Sequence, residues 1–147
     1  MKLTTAVLAA ASVGAVGIWC AERRNRRLLW LGSAALHQKL LADIAGDPGH
    51  AAVWAPEGLP IEQSVPLVHC NRLISFLAVK YRIGLLDKAT LRVQARALME
   101  HDEARAYWAR SGPFREEEAM DGTDRAFNRI LNDEYTAATD TTEPVRA

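Results

Sequence analysis

An uncharged apolar run at the amino terminus constrains this chain more than any other feature. Residues 3–21 carry no charged side chain, and a segment with four arginines follows at once. Nineteen helical residues span about 28 Å, close to the roughly 30 Å of bilayer hydrocarbon. Trp19 lies near one end of the run, where indole rings favour the membrane interface. The pattern predicts a transmembrane helix within residues 1–27, ending in a basic collar.

Three other interpretations of this run stay open. A cleaved signal peptide would use Lys2 as its positive start and residues 15–17 as a small-x-small cleavage site, but arginines directly after the run resist translocation. A lipoprotein would carry its lipid on Cys20, yet the residue before that cysteine is the bulky Trp19. A soluble protein with a buried apolar helix is the third. The anchor accounts best for the flanking charges.

The charges on either side of the run predict its orientation. Lys2 and the terminal amine precede it, whereas four arginines follow it. Because positive flanks stay in the cytoplasm, we expect a single-pass protein of the cell membrane with its amino terminus outside and residues 28–147 in the cytoplasm. The collar arginines would also contact anionic headgroups of the lipid bilayer. They are Arg23, Arg24, Arg26 and Arg27.

Charge and cysteine usage limit the function classes. The net charge is zero for the chain, but residues 28–147 hold 13 basic and 17 acidic side chains and are therefore mildly acidic. Such a body does not favour nucleic-acid binding. The two cysteines, Cys20 and Cys70, are fifty positions apart and do not suggest a disulfide framework, which fits a reducing cytoplasm.

The predicted architecture is all-α, because turn and capping residues separate helical patterns and no strand pattern appears. We expect the anchor to continue into an amphipathic stalk helix over residues 28–46, which Gly46 ends. A helical domain of about four to five helices over residues 47–138 follows, and residues 139–147 are expected to be a disordered tail.

Helix-capping and helix-breaking residues set the helix boundaries expected within this domain. Asp47-Pro48 is an N-cap signal followed by proline at the first helical position, and Gly84 is a natural C-cap. The expected segments are a short helix through residue 54, a loop over 56–64, a central helix over 65–83, a helix over 88–110 begun by Asp87, a break at 111–113, a short helix from 116, and a last helix after Gly122.

The order of these features resembles a family of small actinobacterial proteins of unknown function, which have an N-terminal anchor and a helical body. The resemblance covers most of residues 40–136 and implies a helical architecture and a bacterial membrane location, with no activity to transfer. The residues that carry it are Asp47-Pro48, Val53-Trp54-Ala55-Pro56, Asn71-Arg72, Lys80-Tyr81-Arg82, Gly84-Leu85-Leu86, Ala95-Arg96, Leu98-Met99, Tyr107-Trp108, Arg115, Phe127, Asp133 and Tyr135.

Motifs for chemistry are weak in this sequence. His69, Cys70 and Asn71 have the residue types of a cysteine protease, but neighbours on a helix point about 100° apart and cannot form one relay. Cys70 is interpreted as a small apolar core residue. Asp47 and His50 have helical i, i+3 spacing, and one such pair is a weak metal signal. We therefore predict no catalytic residue, no cofactor and no metal site.

Aromatic and arginine residues around the end of one predicted helix form the candidate interaction surface. Tryptophan, tyrosine and arginine dominate binding hot spots. The alternative is structural, because such residues also cover a core at a helix end. The candidate residues are Asn71, Arg72, Arg96, Tyr107, Trp108, Arg110 and Arg115.

The sequence thus favours a membrane-anchored helical protein whose cytoplasmic module binds a protein partner, and it does not favour an enzyme. Self-association through the anchor or the stalk is a further possibility. The alternative is a small-molecule-binding or enzymatic domain with a pocket among the helices, lined by Asn71, Arg96 and Trp108.

Overall fold

A computed structural model describes the backbone of residues 2–55 and 58–140, with side chains from residue 16 onward. These described residues form six α-helices and no strand, as the all-α prediction requires. The helices are α1 (Lys2–Gly46), α2 (Pro48–Trp54), α3 (Ile61–Arg82), α4 (Lys88–Met99), α5 (Asp102–Glu117) and α6 (Gly122–Asp140).

The chain divides into two compact units, Met1–Leu36 and His37–Ala147. α1 is unbroken through the segments predicted as anchor and stalk. In the part of the chain that the structure describes, no helix combines the length and the apolar character needed to cross a membrane. The predicted anchor falls largely on residues 1–15, whose side chains lie outside the described residues.

The core of the second unit is formed by α3, α4, α5 and α6. Helix α4 presents one apolar stripe at helical spacing, which packs mainly on α6. Leu41 and Ile44 in the last turns of α1 and Ala51 in α2 are buried as well. The core residues are Ile74, Leu77, Leu86, Leu91, Ala95, Leu98, Met99, Ala104, Tyr107, Trp108, Phe127, Ile130 and Leu131.

Two predicted helix boundaries are confirmed by their capping geometry. The Asp47 carboxylate accepts hydrogen bonds from the backbone N–H groups of Gly49 at 2.7 Å and His50 at 3.1 Å, so it caps α2. These bonds lower the pKa of Asp47. At the end of α3, Gly84 has φ +80, a conformation that glycine adopts without strain. Its N–H donates to the Tyr81 carbonyl at 3.1 Å, in a Schellman-type ending.

The predicted loop over residues 56–64 is too long, because α3 begins at Ile61. Pro66 lies inside the helix and cannot donate to the carbonyl of Glu62. Glu62 is exposed, so water can take the place of the missing donor.

The single helix predicted over residues 88–110 is wrong, since the structure divides it into α4 and α5 at Glu100 and His101. The Arg105 guanidinium donates to the Met99 carbonyl at 2.6 Å and so satisfies the end of α4. It also pairs with Asp102 in the first turn of α5. Acidic residues stabilise a helix start, so the sequence Asp102-Glu103 was the available signal for this break.

The break predicted at residues 111–113 and the helix start predicted at Glu116 are also wrong. α5 continues through Gly112 and Pro113 and ends at Glu117. Glycine and proline have low helix propensity, which favours a break at this point. Tertiary contacts on both sides of Gly112 and Pro113 nevertheless keep the segment helical. The carbonyl that loses its donor to Pro113 belongs to the exposed Ala109, which water can solvate.

The last helix begins at well-defined side-chain contacts. Asp121 accepts from the N–H groups of Thr123 at 2.8 Å and Asp124 at 3.1 Å, which caps α6. The Arg82 guanidinium bonds Asp121 at 3.0 Å and Asp124 at 2.5 Å, so the end of α3 holds the start of α6. The helix includes Thr139 and Asp140, two residues of the predicted tail. Residues 141–147 lie outside the described part of the chain.

Candidate functional site

Three of the predicted surface residues meet in one hydrogen-bonded cluster. The Tyr107 hydroxyl donates to the side-chain oxygen of Asn71 at 2.9 Å. Arg115 donates to the same oxygen at 2.7 Å and to the Tyr107 hydroxyl at 3.0 Å. Ser75 completes the group, because its hydroxyl accepts from Arg115 at 2.9 Å and donates to Asn71 at 3.2 Å. The cluster joins α3 to α5.

The side chains of this polar cluster are hydrogen-bonded to one another. The Asn71 side-chain oxygen already accepts from Tyr107, Arg115 and Ser75. The main-chain carbonyl of Arg115 accepts from the Asn128 amide at 2.8 Å, which adds α6 to the connection. Partly buried networks whose members are all paired make a fold rigid and specific. The geometry therefore favours a structural role for these residues over a free binding surface.

Trp108 is a core residue, with only 2 % of its surface exposed. Its indole N–H points toward the Asn132 side-chain oxygen at 3.4 Å. Gly112 lies one turn further along α5, where an added Cβ would stand 3.2 Å from the indole ring. The tight approach of ring and backbone explains why a glycine is present in the middle of α5.

Arg96 lies in a different place, in an ion-pair network between α4 and α6. It donates to the Glu134 carboxylate at 3.0 Å, and Arg92 donates to the other oxygen of Glu134 at 3.3 Å. Arg92 also bonds Asp133 at 3.2 Å. Glu134 is 5 % exposed, so its charge is buried between two arginines that reach solvent. The hydrogen bond with Glu134 raises the pKa of the exposed Arg96.

The remaining two candidates are exposed arginines. The exposed Arg110 side chain makes no hydrogen bond or ion pair with any residue that the structure describes. Arg72 contributes its main-chain carbonyl, which accepts from the Gln38 amide at 2.8 Å and so connects the end of α1 to α3. The seven predicted residues are thus distributed over the Asn71 cluster, the core, the Glu134 network and two separate surface positions.

A basic and apolar groove lies beside Arg72 on the exposed side of α3. Its cavity has a volume of about 460 Å³. Leu73 and Phe76 are large apolar side chains, yet they are 47 % and 49 % exposed. The Lys80 ammonium lies 5.4 Å from the centre of the Phe76 ring, in cation–π range. We call this surface the α3 groove; its lining residues are Gln38, His69, Arg72, Leu73 and Phe76.

A second cavity, of about 450 Å³, lies between α5 and α6. Its walls combine aromatic and proline surface with two asparagines and two oppositely charged side chains. We call it the α5–α6 cavity; it is lined by Trp108, Ala109, Gly112, Pro113, Glu116, Asn128, Arg129, Asn132 and Tyr135.

The four collar arginines are exposed side chains of α1 in the first unit. The Arg23 guanidinium lies 5.3 Å from the centre of the Trp19 ring, and Arg26 bonds Glu22 one turn earlier at 2.6 Å. Exposed pairs of this kind contribute little to stability. Arg24 and Arg27 add further positive charge to the same helical segment.

The cysteine and histidine residues show no reactive arrangement. Burial raises the pKa of the half-buried Cys70 thiol, and the Glu103 carboxylate raises it further, so the reactive thiolate is disfavoured. This fits the interpretation of Cys70 as a core residue. The Asp47–His50 spacing is explained by the helix cap. Across the described ranges, no group of three histidine, cysteine or carboxylate side chains is placed to hold a metal ion.

Sequence reasoning missed the groove and the cavity because neither has a compact motif. Within α3, His69, Arg72, Leu73, Phe76 and Lys80 recur at spacings of three or four, which places them on one helical face. This spacing is visible in the sequence. Because α3 is apolar on more than one side, however, only the packing of the helices determines which face stays exposed. The α5–α6 cavity depends on how two helices meet.

Over residues 2–147 the chain matches the model of a family of unknown function (DUF6082), and it belongs to that family. No curated protein and no solved structure matches it. The family description names no activity, so the function has to be argued from the side chains and surfaces described above.

Proposed function

We propose that the chain is a membrane-tethered helical protein whose second unit binds an acidic amphipathic helix of a cytoplasmic protein in the α3 groove. The observation that carries this proposal is the exposure of Leu73 and Phe76, each about half accessible, on a helix that also contributes Ile74 and Leu77 to the core. Large apolar side chains that remain exposed together mark interaction sites more often than isolated ones do.

The chemistry of the groove selects the partner. A helix-binding groove takes apolar anchors spaced by three or four residues, and Leu73 with Phe76 offers a matching apolar surface. Arg72 and Lys80 are positively charged, and His69 lines the same groove. Complementary charge steers association and fixes orientation. The matching occupant is a helix with acidic residues beside apolar ones.

The tether rests on the sequence pattern of residues 1–27. An uncharged apolar run and four following arginines support insertion into the lipid bilayer with the second unit in the cytoplasm. Anchoring would confine the groove to the membrane surface and raise the local concentration of any partner held there. Self-association through the anchor or stalk would be compatible with this role.

The alternative function, a small-molecule-binding or enzymatic domain, predicted one cavity lined by Asn71, Arg96 and Trp108. These residues lie in three different environments, and the Asn71 oxygen is fully engaged. The α5–α6 cavity is the feature that favours a small ligand instead.

Site-specific photocrosslinking in cells tests the proposed role. A photoreactive phenylalanine analogue replaces Phe76 in the full-length protein, and the matched control replaces Val93, an apolar residue on α4 that is at least as exposed. We expect a crosslink from position 76 to an acidic helical segment of another protein, and none from position 93. Crosslinks to a second copy of this chain, or equal products from both positions, would contradict the proposed occupant.

Charge reversal then tests the selected chemistry. Arg72→Glu should weaken binding of the identified segment at least about tenfold, because it replaces attraction with repulsion at the groove. Arg110→Glu has the same charge change at an exposed position outside the groove, and should leave binding nearly unchanged. Equal losses in both variants would indicate a general charge effect and remove the argument for this groove.

A further inference from the structure

The α5–α6 cavity contains a buried amide with unused hydrogen-bonding capacity. Asn128 is 5 % exposed, and its amide nitrogen donates to the Arg115 carbonyl at 2.8 Å. The same side chain lines the cavity, and its oxygen accepts no hydrogen bond from the residues that the structure describes. Among the described residues, no fully buried side-chain nitrogen or oxygen lacks a partner, so this unpaired oxygen is accessible at the cavity wall and available to an occupant of the cavity.

A second asparagine offers the complementary donor. The oxygen of Asn132 faces the Trp108 indole N–H at 3.4 Å, which assigns the orientation of its amide. Its nitrogen has no partner among the described side chains and main-chain groups. Asn128 and Asn132 are four positions apart on α6, so they lie on one helical face. The α6 side of the α5–α6 cavity therefore presents one free hydrogen-bond acceptor and, one turn later, one free hydrogen-bond donor.

Two oppositely charged side chains line the cavity. Glu116, from the end of α5, and Arg129, from α6, both line it. Neither side chain forms an ion pair with the other or with any residue in the described ranges. Trp108, Pro113 and Tyr135 supply apolar surface to the same cavity. A ligand that matches these groups needs a cation, an anion and an apolar body.

We propose that the α5–α6 cavity binds a free α-amino acid with an apolar side chain. Arg129 and the Asn132 amide nitrogen would hold the carboxylate, and Glu116 with the Asn128 oxygen would hold the ammonium group. The apolar side chain would lie toward Trp108 and Tyr135. Charge-assisted hydrogen bonds of this kind are the stronger ones. This inference is independent of the α3 groove, which uses other helices and other residues.

The test uses the full-length protein in detergent micelles and saturation-transfer difference NMR. The probes are L-leucine and L-phenylalanine, with N-acetyl-L-leucine and L-leucinamide as analogues that lack one charge each. We expect saturable binding of the free amino acids at or below the millimolar range, and binding of each analogue at least about fivefold weaker. Absence of saturable binding for both amino acids up to about 10 mM would overturn the proposal.

Two matched pairs of variants identify the site. Arg129→Gln should remove the preference for leucine over leucinamide, whereas Arg110→Gln, at an exposed position outside the cavity, should retain it. Glu116→Gln should remove the preference for leucine over its N-acetyl analogue, and Glu117→Gln, the exposed neighbour that does not line the cavity, should not. Unchanged preferences in both cavity variants would place the binding elsewhere and overturn the assignment.

Discussion

The Arg115 guanidinium donates to the side-chain oxygen of Asn71 at 2.7 Å, across 44 positions of the chain. The bond joins α5 to α3 at a point just beyond Gly112 and Pro113. It can form only if α5 remains helical through these two residues, because Arg115 must lie two turns beyond Tyr107 to reach the same oxygen. A tertiary hydrogen bond thus helps to hold helical structure where local propensity opposes it.

Replacing Arg115 by alanine should destabilise the protein. The variant loses hydrogen bonds to Asn71, Ser75 and the Tyr107 hydroxyl, and we expect the free energy of unfolding to fall by about 1–3 kcal/mol. Denaturant unfolding followed by circular dichroism measures the change. Arg110→Ala is the matched control, since this exposed arginine on the same helix makes no side-chain hydrogen bond or ion pair within the described residues. A loss as large in the control would mean that the hydrogen bonds are not the cause.

Gly112→Ala should also destabilise the protein, although alanine is the better helix former by about 1 kcal/mol. The new Cβ would stand 3.2 Å from the Trp108 ring, which is almost fully buried and cannot move away freely. We expect a net loss of about 1 kcal/mol or more in thermal unfolding. Gly122→Ala is the control, because nothing lies within 4 Å of its added Cβ. If Gly112→Ala is more stable than the wild type, the Trp108 ring must shift to make room for the new methyl group.

The helix pattern of the second unit was largely readable from the sequence, because its signals are local. Asp47-Pro48, Gly84 and Asp87 each act within a few residues through caps or turns. The break at residues 100–101 has local signals, since Arg105 contacts Met99 and Asp102, six and three positions earlier. The break predicted at residues 111–113 fails for a different reason, because Arg115 contacts Asn71 and Ser75, 44 and 40 positions away, which no window of neighbouring residues contains.

The candidate surface was harder to predict than the fold for the same reason. The residue types that favour binding also favour helix-end packing, and burial decides between the two roles. Trp108 is buried and Tyr107 is held in a hydrogen-bonded cluster. Phe76 was assigned to the central helix, and its exposure follows from how the neighbouring helices pack.

Acid should destabilise the wild-type protein in part through Asp121. The N–H of Asp124 lowers the pKa of the Asp121 carboxyl most, and the Arg82 guanidinium lowers it further. A carboxyl whose folded-state pKa lies below its unfolded value stabilises the fold above that unfolded value, about 3.9, and loses this contribution as pH falls through the folded pKa.

The Asp121→Asn variant should therefore be less stable at neutral pH and less sensitive to acid. Thermal unfolding between about pH 7 and pH 3 measures both effects. Glu117→Gln removes an exposed carboxyl that pairs with no described residue, and should follow the wild-type profile. Parallel profiles for Asp121→Asn and the wild type would contradict a contribution from this cap.

The predicted topology can be tested with a single reporter cysteine. Cys70 is half buried and its thiol pKa is raised, so it would label poorly. Val93→Cys in a Cys20→Ser, Cys70→Ser background places the thiol at an exposed site of α4 instead. With the second unit in the cytoplasm, an impermeant maleimide should label the protein only after lysis. Labelling in intact cells would reverse the orientation.

Replacing Glu134 should lower the free energy of unfolding less than replacing the two arginines that bond it. In Glu134→Gln both arginines lose the Glu134 carboxylate, but Arg92 keeps its bond to Asp133, and the two side chains are 47 % and 66 % exposed, so water solvates them. In the Arg92→Gln, Arg96→Gln double variant, the carboxylate stays buried without a cation, which is the more costly arrangement. We expect the free energy of unfolding to fall by about 1 kcal/mol in Glu134→Gln and by about 2–3 kcal/mol in the double variant.

Combining the changes makes this prediction sharper. Once Glu134 is a neutral glutamine, the arginine substitutions should cost much less than they do in the wild-type background, because no buried charge remains to be compensated. The difference between the two backgrounds is the coupling free energy of the network, measured by denaturant unfolding of all four proteins. Additive losses would show that the buried carboxylate is solvated by other means and that the arginines are ordinary surface charges.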